Sequence, residues 1–140
     1  MNLKLVETAQ EQEDAFSVRK TVFVYEQKVP IELEIDEYEK DALHFIGYVD
    51  QLPVVASRLR FVNGDGKLER ICVLKEHRNS AYGKQIIQLM EDHIRQRGFK
   101  TAILNAQVHA IGFYEKLGYI GVSEPFQDAG IPHVTMSKQL

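Results

Sequence analysis

The chain has 140 residues, 44% of them hydrophobic and 26% charged, enough for one packed core without disulfides or bound metals. Seventeen Lys and Arg against twenty Asp and Glu give a formal charge of −3, and no basic stripe follows a predicted helix, which argues against nucleic acid as a partner. No apolar run approaches the ~20 residues of a membrane helix, so no membrane partner is expected, and the lone Cys72 excludes an internal disulfide.

A single domain over residues 1–140 is expected. The opening stretch, Met1 to Asp14, has neither the basic start and apolar centre of a secretory signal nor the Arg-rich, acid-poor pattern of a transit peptide, so a cytoplasmic location is expected. The histidines follow no HExxH spacing and the cysteine no CxxC spacing, so no metal is expected.

Leu3 and Leu5 alternate as in a short strand, and Thr8 followed by Glu11 has the form of a capping box that opens a helix. Ala15, Phe16, Val18, Val22 and Phe23 carry helical spacing to about Tyr25. From Glu26 to Asp41 the periodicity fades into a loop region with room for a short helix, and seven acids against Lys28 and Lys40 leave it at −5. Such a run is either a solvated surface or an acidic rim that attracts a cationic amine.

His44–Asp50 and Val54–Val62 read as strands joined through Asp50-Gln51-Leu52-Pro53, and Asn63-Gly64-Asp65-Gly66 as a turn into a third strand, 67–74. Simple alternation in that strand sets Leu68, Arg70, Cys72 and Leu74 on one face against Glu69, Ile71 and Val73 on the other. Ile86, Ile87, Met90 and Ile94 mark the inner face of a helix over 81–97, stopped by Gly98. That helix joins strand 67–74 to a buried strand over 101–105 as a parallel crossover. A helix over 108–117 and a closing hairpin of 119–122 with 133–138, around a loop at 124–132, complete an α+β fold with a mixed sheet.

The segment His77 to Lys84 leads from a strand into the longest helix, where unpaired backbone N–H groups and the helix dipole favour an anion. Arg78 and Lys84 add positive charge, and Gly83 leaves the backbone approachable. Neither GxGxxG nor GxxxxGK[ST] is present, so the nucleotide loops of those kinds are not the reading.

Arg78-x-x-Ala81-x-Gly83, followed about thirty residues on by Gln107-x-x-Ala110-x-x-Phe113-Tyr114-Glu115-Lys116-Leu117-Gly118-Tyr119, resembles the paired motifs of the GNAT superfamily of N-acetyltransferases. Val22-Phe23-Val24-Tyr25-Glu26-Gln27-Lys28-Val29-Pro30 is similar to the first helix and following loop of its bacterial ElaA-like and YjcF-like subgroup. Ala81 stands where the family loop usually has a glycine. The resemblance covers nearly the whole chain in element order. It implies a mixed, mostly antiparallel sheet of about six to seven strands, helices on both faces, and a splayed parallel pair, 67–74 and 101–105. It also implies acetyl-CoA as cosubstrate. The diphosphate would lie on Arg78, Asn79, Ser80, Ala81, Tyr82, Gly83 and Lys84, and the pantetheine arm along the main chain at Ile71 and Val73. Asn105 and Gln107 are placed either to hydrogen-bond the pantetheine or a water, or to cap helix 108–117.

Acyl transfer to an amine requires a neutral nucleophile, a polarised thioester carbonyl and a proton for the departing thiolate. A phenol with a pKa of about 10 stays protonated at neutral pH, and the resemblance places Tyr114 beside the CoA sulfur as general acid. The N–H of Val73 is expected to meet the carbonyl oxygen. Glu26 and His44 are the candidate base residues of the acceptor side, with Glu32 and Glu69 as further carboxylates. Cys72 as nucleophile would give a covalent acyl-enzyme, but a lone cysteine in a β run reads as inert core. Arg58 and Arg60, two apart in one strand, either pair with the acids of 26–41 or hold an acidic acceptor. The expected function is transfer of an acetyl group to a primary amine of a small molecule or peptide; a non-catalytic CoA- or acyl-CoA-binding sensor is the alternative. The edge of the closing hairpin would allow a homodimer.

Overall fold

Strand β1 (Asn2–Leu5) leads into Thr8, which caps helix α1 (Ala9–Arg19). The Thr8 hydroxyl accepts the Glu11 N–H at 3.1 Å while the Glu11 carboxylate accepts the Thr8 N–H, also at 3.1 Å, the reciprocal bonds of a capping box. Beyond Arg19 the helix widens into a π-helical segment, Lys20–Glu26, so the apolar face predicted to Tyr25 is helical throughout and buries Ala15, Val18 and Val22. A short helix α2 (Ile31–Glu34) follows in the acidic stretch. The computed structural model describes residues 1–140, and none of its helices is long and apolar enough to cross a membrane.

The remaining strands are β2 (Leu43–Val49), β3 (Leu52–Val62), β4 (Asp65–Val73), β5 (Thr101–Gln107), β6 (Ile120–Gly121), β7 (Phe126–Asp128) and β8 (Ile131–Gln139). Helix α3 (Tyr82–Gln96) connects β4 to β5, and α4 (Ile111–Lys116), entered through a 3-10 turn at Val108–Ala110, connects β5 to β6. One eight-stranded sheet runs in the order β1-β2-β3-β4-β5-β8-β6, with β7 also on β8; only β4 and β5 pair in parallel. The β2–β3 connection is tighter than predicted, because Asp50 and Gln51 both take positive φ (50° and 68°) and close a two-residue turn. The predicted loop 124–132 contains β7 and a second tight turn at Ala129 and Gly130 (φ 51° and 76°), which adds the eighth strand.

Each sheet face has its own core. Ile86, Ile87, Met90 and Ile94 of α3 pack with Leu59, Leu68, Leu104, Val134 and Met136 on one face. On the other, Ala15, Val18 and Val22 of the first helix pack with Ile46, Ala56 and Cys72. Leu68 and Cys72 therefore lie on opposite faces, not the same one. The register against β3 slips between Ala56 and Arg58, and Arg70 takes φ 56°, so a bulge inserts one residue and inverts the alternation beyond it. Ile71 and Val73 consequently join Leu68 on the α3 face.

Of the acids of the 26–41 stretch, Glu26, Glu32, Glu37 and Asp41 are exposed, as a solvated surface would have them, but Glu34, Asp36 and Glu39 turn inward onto arginines. Arg19, 0% exposed, holds Glu34 (Nε to Oε1, 2.9 Å) and Glu39 (Nη2 to Oε2, 2.8 Å). Arg58 holds Asp36 at 2.7 Å, Glu39 at 3.0 Å and Glu69 at 2.9 Å. Arg60 pairs with Glu69 at 2.8 Å and stacks over Tyr38 at 3.8 Å, and Arg70 donates to the Leu33 carbonyl and to Asp36, both at 3.2 Å. Four arginines thus cancel four carboxylates in a nearly closed network that fastens the loop to the sheet. Burial opposes ionisation of Glu39, yet the Arg19 hydrogen bond and the charges of Arg19 and Arg58 outweigh it and hold the carboxyl at about 2.

Two outcomes follow from this packing. A Cβ on Gly66 would overlap the buried Ile94 side chain of α3, so Gly66→Ala is expected to cost about 1–3 kcal/mol, read as a lower urea midpoint. Because the folded-state pKa of Glu39 lies below its ordinary 4.5, its contribution is complete above that value and fades as pH falls toward about 2. Glu39→Gln should therefore cost roughly 2–3 kcal/mol at neutral pH in urea unfolding, with the gap to the parent chain closing across that acid window.

Candidate active site

Strands β4 and β5 pair at only three positions, Gly66–Ala102, Lys67–Ile103 and Leu68–Leu104, and then part. The parting opens a slot that continues into a cleft of about 950 Å³ lined from both sheet faces. Backbone alternation aims the β4 edge into the slot. Leu74 N–H donates to the Val54 carbonyl at 2.9 Å and Val73 stands opposite Val55, so the N–H of Val73 turns away from β3, as does that of Ile71 two residues earlier. Val73's carbonyl, on the same edge, accepts Arg78 Nε–H at 2.9 Å.

At the slot's mouth the chain passes through a 3-10 turn, Lys75–His77, into the start of α3. The first backbone bond of the helix runs from Gln85 N–H to the Ala81 carbonyl, and none of the six N–H groups from Asn79 to Lys84 donates to another protein group. Six adjacent donors at the positive end of a 15-residue helix make an anion site. The left-handed residue of the loop is Asn79 (φ 67°), whereas Ala81 has φ −84°, which any residue adopts; the alanine there imposes no backbone strain. Gly83 faces the cleft, where a Cβ would meet the Phe113 ring at 3.4 Å.

Of the loop side chains, Arg78, Asn79 and Ser80 line the cleft, and the Ser80 hydroxyl donates to the His77 carbonyl. Tyr82 instead packs against the core, and Lys84 faces a separate shallow groove with Glu91 and Lys138, so these two offer the site their backbone only. Ile71, Val73, Asn105, Gln107 and Tyr114 all line the cleft. Tyr114 packs with the α3-face core, edge-on to Tyr119 at 6.1 Å. Burial, then the nearby Cys72, pushes its phenol up to about 12, and no protein group hydrogen-bonds its hydroxyl.

Neither Asn105 nor Gln107 caps the following helix. Asn105 accepts the Thr135 hydroxyl at 2.8 Å, and Gln107 donates to Gln27 at 2.9 Å while accepting from His109 Nε2 at 2.6 Å.

The base candidates fare differently. Glu26 lines the cleft but is held by both terminal nitrogens of Arg78, at 2.6 and 2.7 Å, and that hydrogen bonding keeps its carboxyl below the usual range, which makes it a poor base. His44 is outside the cleft. It is buried beneath α1, edge-on to Phe16 at 5.8 Å, with Nε2 on the Glu39 carbonyl at 2.8 Å, and burial lowers its pKa. Glu32 is also outside, and Glu69 lines the cleft within the arginine network. Cys72 is buried, and its thiol is pushed up to about 12, chiefly by that burial, which leaves almost no thiolate for nucleophilic chemistry.

Sequence reasoning missed Gln27 and His133, both on the cleft. Gln27 adjoins Glu26 at the end of the π-helical segment, so the Glu26 reading could have been extended by one residue. His133 carries no local motif; only the pairing of β8 with β5, which sets it opposite Gln107, brings it to the site.

A family profile described as an acetyltransferase (GNAT) domain matches residues 6–140. The protein of Bacillus subtilis (strain 168) named as the uncharacterized N-acetyltransferase YjcF is 47% identical over 139 residues, which span 99% of each chain. Among solved structures, Escherichia coli ElaA superposes with a TM-score of 0.89 at 23% identity, covering 99% of both chains. PaiA N-acetyltransferase of Thermoplasma acidophilum, solved in complex with coenzyme A, gives 0.74 at 15% identity and covers 100% of both chains. With a family profile matched over nearly its whole length and a relative 47% identical across 99% of both chains, the chain belongs to the GNAT family of acetyltransferases.

Proposed function

We propose that the chain is a single acetyl-CoA-dependent N-acetyltransferase domain over residues 1–140. It acts in the cytoplasm and transfers an acetyl group directly to a primary amine of a small molecule or peptide. The observation that carries this reading is the run of six free N–H groups from Asn79 to Lys84 at the mouth of the slot between β4 and β5. Coenzyme A is what PaiA binds, and the residues present here fit the same group: anion donors at one end, an unpaired strand edge along the slot, and room beyond it.

Acetyl-CoA would supply an acetyl group activated as a thioester. The loop backbone would hold its diphosphate, and Arg78 would add charge by exchanging Glu26 for phosphate. Ile71 and Val73 would extend β4 to the amides of the pantetheine arm, as an added strand does. The N–H of Val73 faces the slot and would donate to the thioester carbonyl oxygen as charge grows on it. Tyr114, protonated well above neutral pH and with its hydroxyl unclaimed, would give its proton to the departing thiolate. The inert thiol of Cys72 favours direct transfer over an acyl-enzyme.

Leu33, Tyr38, Ile131 and His133 also line the cleft, and we take this part of the lining as the acceptor end, space that a CoA sensor would have no use for. The arginine network cancels the charge of that end, which suits an amine recognised by shape and hydrogen bonds rather than by a strongly acidic field. Ile120, exposed on edge strand β6, offers the edge through which a homodimer would form.

Two measurements test the reading. Acetyl-CoA at a hundred times its Kd should add about 2.7 kcal/mol of stability, seen as a rise in Tm; no shift at millimolar ligand would sink the proposal. Tyr114→Phe should lower kcat about 10²-fold in a free-thiol assay while the acetyl-CoA thermal shift is retained, and unchanged turnover would remove Tyr114 from the acid role.

A further inference from the structure

We infer that His133 is the base that takes the proton from the incoming amine, on the sheet face opposite Tyr114. The inference rests on the acetyltransferase reading above and names the group that the reading leaves unassigned.

Carboxylates are poor candidates for the role. Glu26 is held by Arg78, Glu34 by Arg19, Asp36 by Arg58 and Arg70, and Glu69 by Arg58 and Arg60. Taking a proton would cost each of them its ion pair. Asp128, the other carboxylate on the cleft, is exposed at the end of β7. Among histidines, His44 is outside the cleft, exposed His109 is tied through Nε2 to Gln107, and His77 stands at the anion-loop end.

His133 is 8% exposed and is the buried histidine of the cleft. Its Nδ1 lies 2.7 Å from the Ile131 carbonyl, and because a carbonyl oxygen only accepts, Nδ1 carries the hydrogen and Nε2 the free lone pair. The ring stacks on Phe126 with centroids 6.0 Å apart and planes at 24°. Nε2 has no protein partner, yet it is not among the sealed, unpartnered polar atoms of the chain, so it retains an accessible edge. A base with its tautomer fixed and its ring oriented is the arrangement general-base catalysis needs.

Its position agrees. Val134 and Met136 belong to the α3-face core, as do Leu104 and Ala106 on β5, so strand alternation turns His133, Thr135, Asn105 and Gln107 to the other face. Tyr114 sits on the α3 side, and the slot joins the two faces. Proton traffic is then divided. A substrate ammonium gives one proton to Nε2, which passes it to solvent. The neutral nitrogen forms the C–N bond to the acetyl carbon as the C–S bond breaks. The thiolate takes the Tyr114 proton, and the second proton shed by nitrogen restores the phenol through solvent.

The test compares an alkylamine, cationic at neutral pH, with methoxyamine, which is already neutral. His133→Gln should lower kcat/KM for the alkylamine about 10²-fold and for methoxyamine several-fold at most, with the acetyl-CoA thermal shift intact. Independently of turnover, the nitrogen spectrum of the ligand-free parent protein should show His133 as the Nδ1–H tautomer. Equal losses for both amines, no loss, an Nε2–H tautomer, or a loss found in Asp128→Asn and not in His133→Gln would each overturn the assignment. If the parent protein binds acetyl-CoA but releases thiol with no amine, the acetyltransferase reading itself fails, and the His133 assignment goes with it.

Discussion

The parting of β4 from β5 is the constraint on which the rest of this structure depends. Two parallel strands held at three positions and then released leave a row of backbone donors and acceptors that no neighbouring strand satisfies. Such an edge is costly inside a fold unless something else uses it, and here the surrounding elements are arranged so that a ligand can. Arg78 already reaches one carbonyl of that edge, and the start of α3 sets its own unpaired N–H groups at the same opening. Helix α3 packs against one face of the two strands, and the bulge at Arg70 falls in β4 two residues beyond the last β4–β5 pair. A slot through a sheet also gives chemistry two walls, so a proton can be taken on one face and returned on the other.

The second constraint is electrostatic. Three arginines with little or no exposure to solvent, Arg19, Arg58 and Arg60, would be prohibitive without partners, and the acids of residues 34–39 together with Glu69 supply them. Between Glu34 and Asp41 the apolar side chains are Ile35 and Tyr38, so these pairs do much of the fastening of that segment over the sheet. That explains how a region with a local charge of −5 can line a cleft without making it strongly acidic.

Local signals in the sequence translated well. The Thr8–Glu11 box, the inner face of α3 and the strand–loop–helix unit around Arg78 all depend on residues within one or two turns of one another, and each has its predicted form. Features set by distant partners were harder to read, although the pairing of Arg58 with acids of 26–41 was one of the two readings open for it and is what the structure has. Nothing marks Arg70 as a left-handed bulge residue, since arginine rarely takes positive φ, and the slip it causes reversed the face assigned to Cys72. The Arg19–Glu34 pair joins elements whose contact depends on how the chain folds back, so the acids looked solvated. His44 lies beneath α1, away from the cleft, while His133 reaches the cleft through a pairing between β5 and β8 that no short motif encodes. Ala81, where the family loop usually has a glycine, takes an ordinary φ of −84°, and the positive φ of the loop falls on Asn79 two residues earlier.

The arginine network also limits how this enzyme can be remodelled. In many scaffolds a substrate loop is a module that can be exchanged for that of a relative with another preference. Here residues 34–39 are the counter-ions of side chains rooted in α1 and β3, so a grafted loop lacking acids at these positions would strand Arg19 and Arg58 as uncompensated charges within the protein. Loop and arginines form one physical unit, whereas cleft-facing residues outside the salt links, such as Leu33 and Ile131, can be changed without stranding an arginine.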